Sequence, residues 1–195
     1  MARPKEFNPD EAVDRAIEYF SRHTYHGTNV RDLARAMGIR SSSFYNTFGD
    51  KRRIYLLALA RYLEHLRAGQ SQLYAQAEAS VDGLRGILSL AIDSYLAPPA
   101  RADWGMFAVN ATLESILLDP EVRVLLMNNL EAFHSILEAF FIRCQQAGTI
   151  PLRHLPKALA RYMVGVITSL TTTARLAPDR QALEDMVAVA LDALT

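Results

Sequence analysis

Residues 28–51 constrain the fold more than any other stretch, because they combine two short helix patterns with a glycine between them. Thr28 can cap the first helix, and Gly38 can end it by adopting a left-handed conformation that most other residues avoid. The apolar residues of the first helix recur every three or four positions, at Val30, Leu33, Ala34 and Met37. A second short helix follows, with Phe44 and Phe48 on one face. The segment therefore predicts a helix-turn-helix.

Helical periodicity continues along the rest of the chain, and proline, glycine or a capping residue marks its breaks. Asn8 and Pro9 can begin a helix before the helix-turn-helix, and Asp50 can cap a longer one after it. Further breaks stand at Pro98-Pro99, Asp119-Pro120, Gly148, Pro156 and Pro178-Asp179. No stretch shows the strict alternation typical of a half-buried strand. We expect an all-α protein of about nine helices.

The helices are expected to form two domains. A three-helix, helix-turn-helix domain is predicted over residues 1–52, and a larger helical domain over residues 53–195, to which the family resemblance described below assigns ligand binding and dimerisation. The longest predicted helix, over residues 120–147, carries apolar residues at alternating spacings of four and three: Leu126, Leu130, Phe133, Leu137, Phe140 and Cys144. Because this spacing keeps the residues on one face, we expect a seam that is buried along its whole length.

The charge distribution favours a nucleic-acid partner at the N-terminal end. The chain is neutral overall, with 21 Lys and Arg against 21 Asp and Glu. Residues 1–67 nevertheless hold 12 of the basic residues and only 8 of the acidic ones, so positive charge gathers beside the helix-turn-helix. An imbalance of this size is modest and also arises in unrelated proteins.

Cysteine content and hydropathy indicate a soluble protein of the reducing cytoplasm. Cys144 is the single cysteine, which excludes an intramolecular disulfide. The N-terminus lacks the apolar core of a signal peptide. No apolar run reaches the roughly 18 residues that a membrane helix needs, so we expect no membrane partner.

The second helix of the motif carries groups that can bind DNA. A recognition helix directs short polar and aromatic side chains to bases and phosphates while its other face packs on the preceding helix. The candidate DNA-binding residues are Thr28, Arg40, Ser41, Ser42, Ser43, Tyr45, Thr47 and Lys51. Arg40 can pair with guanine, and Thr28 and Lys51 stand at helix N-termini, which attract phosphate. The alternative is a helical hairpin whose hydroxyl residues serve only as caps.

The same stretch resembles the DNA-binding domain of the tetracycline-repressor (TetR) family of bacterial transcription regulators. The resemblance covers about residues 10–58 and rests on Ala16, Phe20, Val30, Leu33, Ala34, Gly38, Ile39, Phe44, Tyr45, Phe48 and Lys51. Two positions depart from the family pattern. Arg40 stands where serine is frequent, and we expect it to give this protein its own DNA sequence preference. Ser42 stands where many members have glycine, and it adds a hydroxyl.

The resemblance implies a homodimeric regulator, most often a repressor, that binds a palindromic operator in double-stranded DNA. Its last two helices would form a four-helix dimer interface, and its middle helices would hold a small-molecule inducer. Inducer binding would move the two DNA-binding domains of the dimer further apart than successive major grooves, which are about 34 Å apart. The sequence adds an apolar stripe on the penultimate helix: Leu159, Met163, Val166, Ile167 and Leu170. This stripe is wide enough to need a partner, although it could instead pack within one chain.

Bulky or adaptable side chains of the larger domain are the candidates for inducer contact. They are Tyr95, Trp104, Met106, Phe107, Asn110, Phe133, His134, Phe140 and Met163. Each of them, taken separately, is also explained as a core residue. Residues 104–114 resemble a branch of the family that carries a sensing cysteine, but Met106 occupies the position of that cysteine. We therefore expect reversible binding of a small apolar or amphipathic molecule rather than thiol chemistry.

The sequence contains no recognisable catalytic motif, so we expect no enzymatic activity, metal or cofactor. It lacks a Walker loop, an HExxH motif, a G-x-S-x-G motif and a cysteine pair. His23 and His26 are three residues apart, but they lie near a helix end, where they share no face with a carboxylate cluster. A small helical enzyme and a helical adaptor that binds only protein are the alternative interpretations.

Overall fold

The computed structural model describes residues 7–97, 106–114 and 119–195, and within them the chain forms nine α-helices and no strand. The helices are α1 (Pro9–Arg22), α2 (Val30–Ala36), α3 (Ser41–Phe48), α4 (Lys51–Gln76), α5 (Val81–Leu96), α6 (Met106–Leu113), α7 (Pro120–Gln146), α8 (Pro156–Leu176) and α9 (Arg180–Asp192). The all-α prediction is confirmed. The predicted break at Pro98-Pro99 lies outside the described residues. None of the helices seen in these ranges has the length and apolar character needed to cross a membrane.

Capping side chains begin several helices where the sequence predicts them. The Asn8 side chain accepts the amide N–H two residues further on, at 3.0 Å, and Pro9 takes the first position of α1. Asp50 accepts an amide N–H from the first turn of α4 at 2.8 Å. Asp119 does the same for α7 at 3.0 Å. Each bond satisfies an amide that has no partner inside its own helix.

The cap of α2 differs from the prediction by one residue. Asn29, not Thr28, caps this helix, and its side chain accepts the N–H of Arg31 at 2.8 Å. Thr28 is buried and donates its hydroxyl to the carbonyl of Thr24 at 2.7 Å. The threonine hydroxyl therefore fixes the loop before the helix, and the asparagine, an equally good capping residue, takes the cap.

The described residues divide into two compact units. The first contains residues 7–66, 106–114 and 119–128, and the second contains residues 67–97 and 129–195. Both α4 and α7 contribute residues to each unit. The compact unit that holds the helix-turn-helix is thus larger than residues 1–52, and the predicted functional boundary after residue 52 stays a prediction.

Aromatic packing forms the centre of the first unit. The ring of Phe20 in α1 lies 4.9 Å from that of Tyr55 in α4 and 5.7 Å from that of Phe107 in α6. Tyr55 and Phe107 lie 5.2 Å apart, edge to face. All three side chains are buried. Because such pairs contribute stability beyond the apolar area that they bury, α6 is an integral part of this core.

The second unit has a core of aliphatic and aromatic side chains, built mainly from α5, α8, α9 and the C-terminal half of α7. The prediction of a continuous buried seam along α7 is wrong in its N-terminal half. Leu137 is fully buried in the core of the second unit, but Leu130 is 44% exposed. Leu126 is half-buried and packs on the core of the first unit. The seam is interrupted because the two ends of the helix pack in two different cores.

Gly38 forms the turn between α2 and α3. Its φ is 72°, in the left-handed region, as the sequence predicts. The Arg15 guanidinium of α1 reaches this turn and donates to the carbonyl oxygen of Met37 at 3.2 Å. The turn is therefore fixed both by its own backbone and by a side chain from α1.

Replacing Gly38 by alanine should lower the free energy of unfolding more than the same change at Gly148. Gly148 has a φ of 71°, but a Cβ there would meet no atom within 4 Å. That variant carries only the cost of a left-handed residue, about 1–2 kcal/mol. A Cβ on Gly38 would lie 2.3 Å from the Arg15 guanidinium, so it would also remove the bond to Met37, at about 1 kcal/mol more. Urea denaturation measures both losses, and equal values would contradict the role given to Arg15.

Candidate nucleic-acid interface

The exposed face of α3 is the candidate interface. On the inner face, Phe44 and Phe48 are 0% and 3% exposed, and their ring centres lie 5.9 Å apart. The exposed side chains of the helix are Ser41, Ser42, Tyr45 and Asn46. Tyr45 is 54% exposed although its ring packs edge to face on Phe44 at 5.5 Å. The helix thus buries two aromatic rings and presents hydroxyl and amide groups to solvent.

The predicted DNA-binding residues of α3 do not all lie on this face. Ser41, Ser42 and Tyr45 do, whereas Ser43 and Thr47 are half-buried at its sides. Arg40 precedes the helix and is exposed, and its side chain makes no hydrogen bond or ion pair with the described residues. Its guanidinium is therefore available to a partner.

Asn46 is an exposed residue that the sequence analysis missed. It lies between two predicted residues, Tyr45 and Thr47. A helical wheel would have found it, because a residue two positions from both Phe44 and Phe48 lies opposite their shared face.

Lys51 binds the loop before α2. Its ammonium donates to the carbonyl oxygens of Tyr25 at 2.9 Å and Thr28 at 3.0 Å, and it lies 4.4 Å from the centre of the Tyr25 ring. These contacts use two of the three N–H donors. The contacts of Lys51 and Thr28 with phosphate stay predictions, but both residues also hold the loop that leads into the helix-turn-helix.

Arg52 joins the start of α4 to the start of α7. Its Nε and Nη2 atoms donate to the two carboxylate oxygens of Asp119, the second at 2.9 Å, and Nη2 also donates to Glu121 at 2.9 Å. Hydrogen bonding to the guanidinium lowers the pKa of the Asp119 carboxyl below its usual value. The pKa of Arg52 is raised by the same bonds. One carboxylate therefore both caps α7 and holds an arginine of α4.

The predicted inducer contacts are divided between the two units. Phe107 lies in the aromatic core of the first unit, where Asn110 donates to the carbonyl oxygen of Ser21 at 3.1 Å. Those contacts give both residues a role in attaching α6 to α1. Trp104 lies outside the described residues, and of Met106 only its position at the start of α6 is described.

The other predicted inducer contacts lie in the second unit. Phe140 and Met163 are buried in its core, and Tyr95 and Phe133 are half-buried against it. Burial raises the pKa of Tyr95. His134 is half-buried. The four apolar and aromatic residues thus share one core, and their contact with a ligand stays a prediction.

The apolar stripe of α8 lies partly inside the chain. Leu159, Met163 and Leu170 are buried in the second unit, so three of the five predicted stripe residues need no partner. The exposed groove lies beside them, between α8 and α9, and is lined by Arg161, Tyr162, Gly165, Val166, Ser169, Asp185, Met186, Val189 and Ala190. Val189 is 71% exposed and Tyr162 is 43% exposed. The surface open to a partner is therefore displaced from the predicted stripe by about one residue along α8.

Comparison with known proteins finds relatives along the whole chain. A family model described as bacterial regulatory proteins, tetR family, matches residues 12–58. The chain is 30% identical over 195 residues to the HTH-type transcriptional regulator YezE of Bacillus subtilis (strain 168), covering all of both chains. It is 26% identical over 178 residues to the HTH-type transcriptional repressor ComR of Escherichia coli (strain K12), covering 89% of this chain and 82% of ComR.

A solved structure shares the fold. It is a cysteine mutant of the TetR family transcriptional regulator CifR, complexed with 26-base-pair double-strand operator DNA. The match covers 100% of each chain with a TM-score of 0.84 and 24% sequence identity.

Replacing Lys51 by alanine should destabilise the protein, whereas replacing Arg53 should not. Each change removes one positive charge near the interface. Only Lys51→Ala removes the donor to the Thr28 carbonyl and one of the two donors to the Tyr25 carbonyl, so we expect a loss of about 1–2 kcal/mol in the free energy of unfolding. Arg53 is exposed, and its side chain makes no polar contact in the described ranges, so its loss should stay within about 0.5 kcal/mol. Equal stability of the two variants in urea denaturation would leave Lys51 with no structural role.

Replacing Asp119 by asparagine should destabilise the protein in a pH-dependent way. Asparagine caps a helix as well as aspartate does, so the change removes the charge and keeps the cap. Because the folded-state pKa of Asp119 is lowered, its contribution is fully present above the ordinary carboxyl value of about 3.9 and is lost as pH falls through the lowered value. The difference in unfolding free energy between the two proteins should therefore be larger at pH 7 than near pH 3, where part of the contribution is already lost. A pH-independent difference would exclude the ion pair as its cause.

Proposed function

Since the chain belongs to the TetR family of helix-turn-helix transcriptional regulators, we propose that it is a homodimeric repressor that binds a palindromic operator and leaves it when a small inducer binds. The observation that carries this proposal is the polar, exposed face of α3 opposite the buried Phe44 and Phe48. The similarity to the repressor ComR supports the direction of regulation. Its role is regulatory rather than catalytic, and its place is the cytoplasm, where the DNA is.

In this proposal α3 enters the major groove, and each contact follows from the chemistry of its side chain. Arg40 carries an unpaired guanidinium, which can bind the two acceptors of guanine. Ser41 and Ser42 offer exposed hydroxyls to bases or phosphates. Tyr45 lies on the edge of the exposed face, where its ring and hydroxyl can pack on the sugar-phosphate backbone. Ser43 and Thr47 lie at the sides of the helix, so they would contact the sugar-phosphate backbone of the DNA rather than the bases.

Thr28 and Lys51, which contact each other at the loop before α2, complete the proposed DNA contacts. Both stand near the N-terminal ends of helices, where exposed amide groups favour an anion. Lys51 has one N–H donor left for a phosphate after its two carbonyl bonds. Its two roles reinforce each other, because a lysine held by the loop is already positioned when DNA arrives.

The proposed dimer forms through α8 and α9. The groove between these helices combines the small residue Gly165 with the exposed apolar residues Val166, Met186 and Val189. A two-fold axis through such a groove would pair the helices of one protomer with those of the other, so that each protomer covers the same patch on its partner. The dimer would then place one recognition helix at each half of a palindromic operator.

The inducer is proposed to bind in the second unit, beside Tyr95, Phe133, Phe140 and Met163. These side chains offer aromatic and thioether surface, and the polar group among them is the Tyr95 hydroxyl. A buried charge without a partner is costly, so this environment favours an uncharged apolar or amphipathic molecule. The effect on DNA binding would pass along α4 and α7, because each contributes residues to both units. The Arg52–Asp119 ion pair joins the N-terminal ends of these two helices.

Replacing Arg40 by alanine should relax sequence preference at one base pair of each half-site. Selection of bound fragments from genomic DNA defines the operator of the unaltered protein, and binding titrations with single-base variants measure the preference. We expect a loss of about 1–3 kcal/mol at that base pair and little change elsewhere. Arg85→Ala, in the exposed part of α5, is the matched control. If the unaltered protein shifts cognate and random duplexes equally little, the proposed function is wrong and a protein-binding adaptor is favoured.

A further inference from the structure

Asn46 lies on the side of α3 opposite the two buried phenylalanines. An α-helix turns by about 100° per residue, so Asn46 lies about 200° from Phe44 in one direction and about 200° from Phe48 in the other. Both phenylalanines are buried, and together they define the inward direction of the helix. Asn46 therefore points almost directly away from the core, and its side chain is exposed.

The residues about one turn before and one turn after Asn46 on the outer face are small. One turn earlier stands Ser42, which is exposed, and three residues later stands Gly49, which ends the helix with a φ of 83°. Neither has a side chain long enough to cover the carboxamide. The carboxamide of Asn46 is therefore open to a surface that approaches this side of α3.

The carboxamide of Asn46 has no hydrogen-bond partner within the described part of the chain. Asparagine is also among the poorer helix formers, because its side chain competes for backbone hydrogen bonds. An exposed asparagine in the middle of an eight-residue helix therefore weakens the helix and gains no contact in the free protein. These properties are expected of a side chain whose hydrogen-bond partner is supplied by a bound molecule.

The chemistry of the amide identifies that partner. A carboxamide places one acceptor and one donor side by side in a plane, and adenine presents the complementary pair, N7 and the N6 amino group, in the major groove. A phosphate would use only the donor half of the group. We propose that Asn46 reads an adenine through a bidentate contact; this inference rests on the proposed function, because it needs α3 in the major groove.

The position of Asn46 also limits where this adenine lies. Arg40 stands six residues earlier, which corresponds to about 9 Å along the helix axis. Successive bases of one strand are about 3.4 Å apart, so the adenine lies within about three base pairs of the base that Arg40 contacts. Each half-site of the operator should therefore contain an adenine at a fixed short distance from that base.

The test uses the full-length protein and a library of random duplex DNA. Bound sequences are selected with the unaltered protein, with Asn46→Ala and with the control Asn128→Ala, which removes an exposed asparagine from α7. The unaltered protein and the control should select the same motif, with adenine favoured over other bases by about 5- to 150-fold at one position of each half-site. Asn46→Ala should select the same motif without that preference. Alanine is the better helix former, so this variant should fold at least as stably.

A chemical substitution in the DNA identifies the contact itself. Replacing the selected adenine by 7-deazaadenine removes the N7 acceptor and leaves base pairing intact. The unaltered protein should then bind several-fold more weakly, and Asn46→Ala should bind both duplexes equally.

Two results would overturn the inference while the proposed function stands: an unchanged motif with Asn46→Ala, or uniformly weaker binding to every sequence, which indicates a phosphate contact. Selection of no motif by the unaltered protein would instead overturn the proposed function.

Discussion

Burial of Phe44 and Phe48 is the interaction on which the interface depends. A helix of eight residues has little stability of its own, so packing, not propensity, holds α3 in place. Because both rings lie on one side, their burial also sets the rotation of the helix about its axis. That rotation decides that Asn46 faces outward and that Ser43 and Thr47 lie at the sides. The same hydrophobic contact therefore provides stability and selects which groups DNA can meet.

The positive charge of the N-terminal region is used in two different ways. Lys51 and Arg52 are neighbours in sequence, yet one binds the loop before α2 and the other binds Asp119. Arg61 is also paired inside the first unit, with Asp10 and Asp14. Counting charges along the sequence thus overstates what is free to attract phosphate. The excess of basic residues correctly indicates which end of the chain carries the helix-turn-helix. Some of these residues, however, form ion pairs and hydrogen bonds within the first unit.

Local features could be predicted from the sequence, and long-range ones could not. Gly38 and the caps at Asn8 and Asp119 depend on residues within one turn, so their roles follow from residue type and spacing. The Arg52–Asp119 pair joins residues 67 positions apart, and only the fold brings them together. The prediction of a continuous buried seam along α7 was wrong for a related reason. The spacing of the apolar residues determines which helix face they share, but it does not determine which core each part of that face contacts. Asn46 was accessible to prediction, because the pattern of buried phenylalanines already implied its direction.

The discontinuity of the first unit affects how the protein can fold during synthesis. Its core begins with Ala12 and is completed by Phe107, Ala111 and Val122, which the ribosome makes roughly a hundred residues later. Domains usually fold as units, so the helix-turn-helix cannot finish folding until most of the chain has emerged. Until then Phe20 and Tyr55 lack their α6 partner. A truncated chain that ends before α6 would therefore carry the DNA-reading residues without a complete core to orient them.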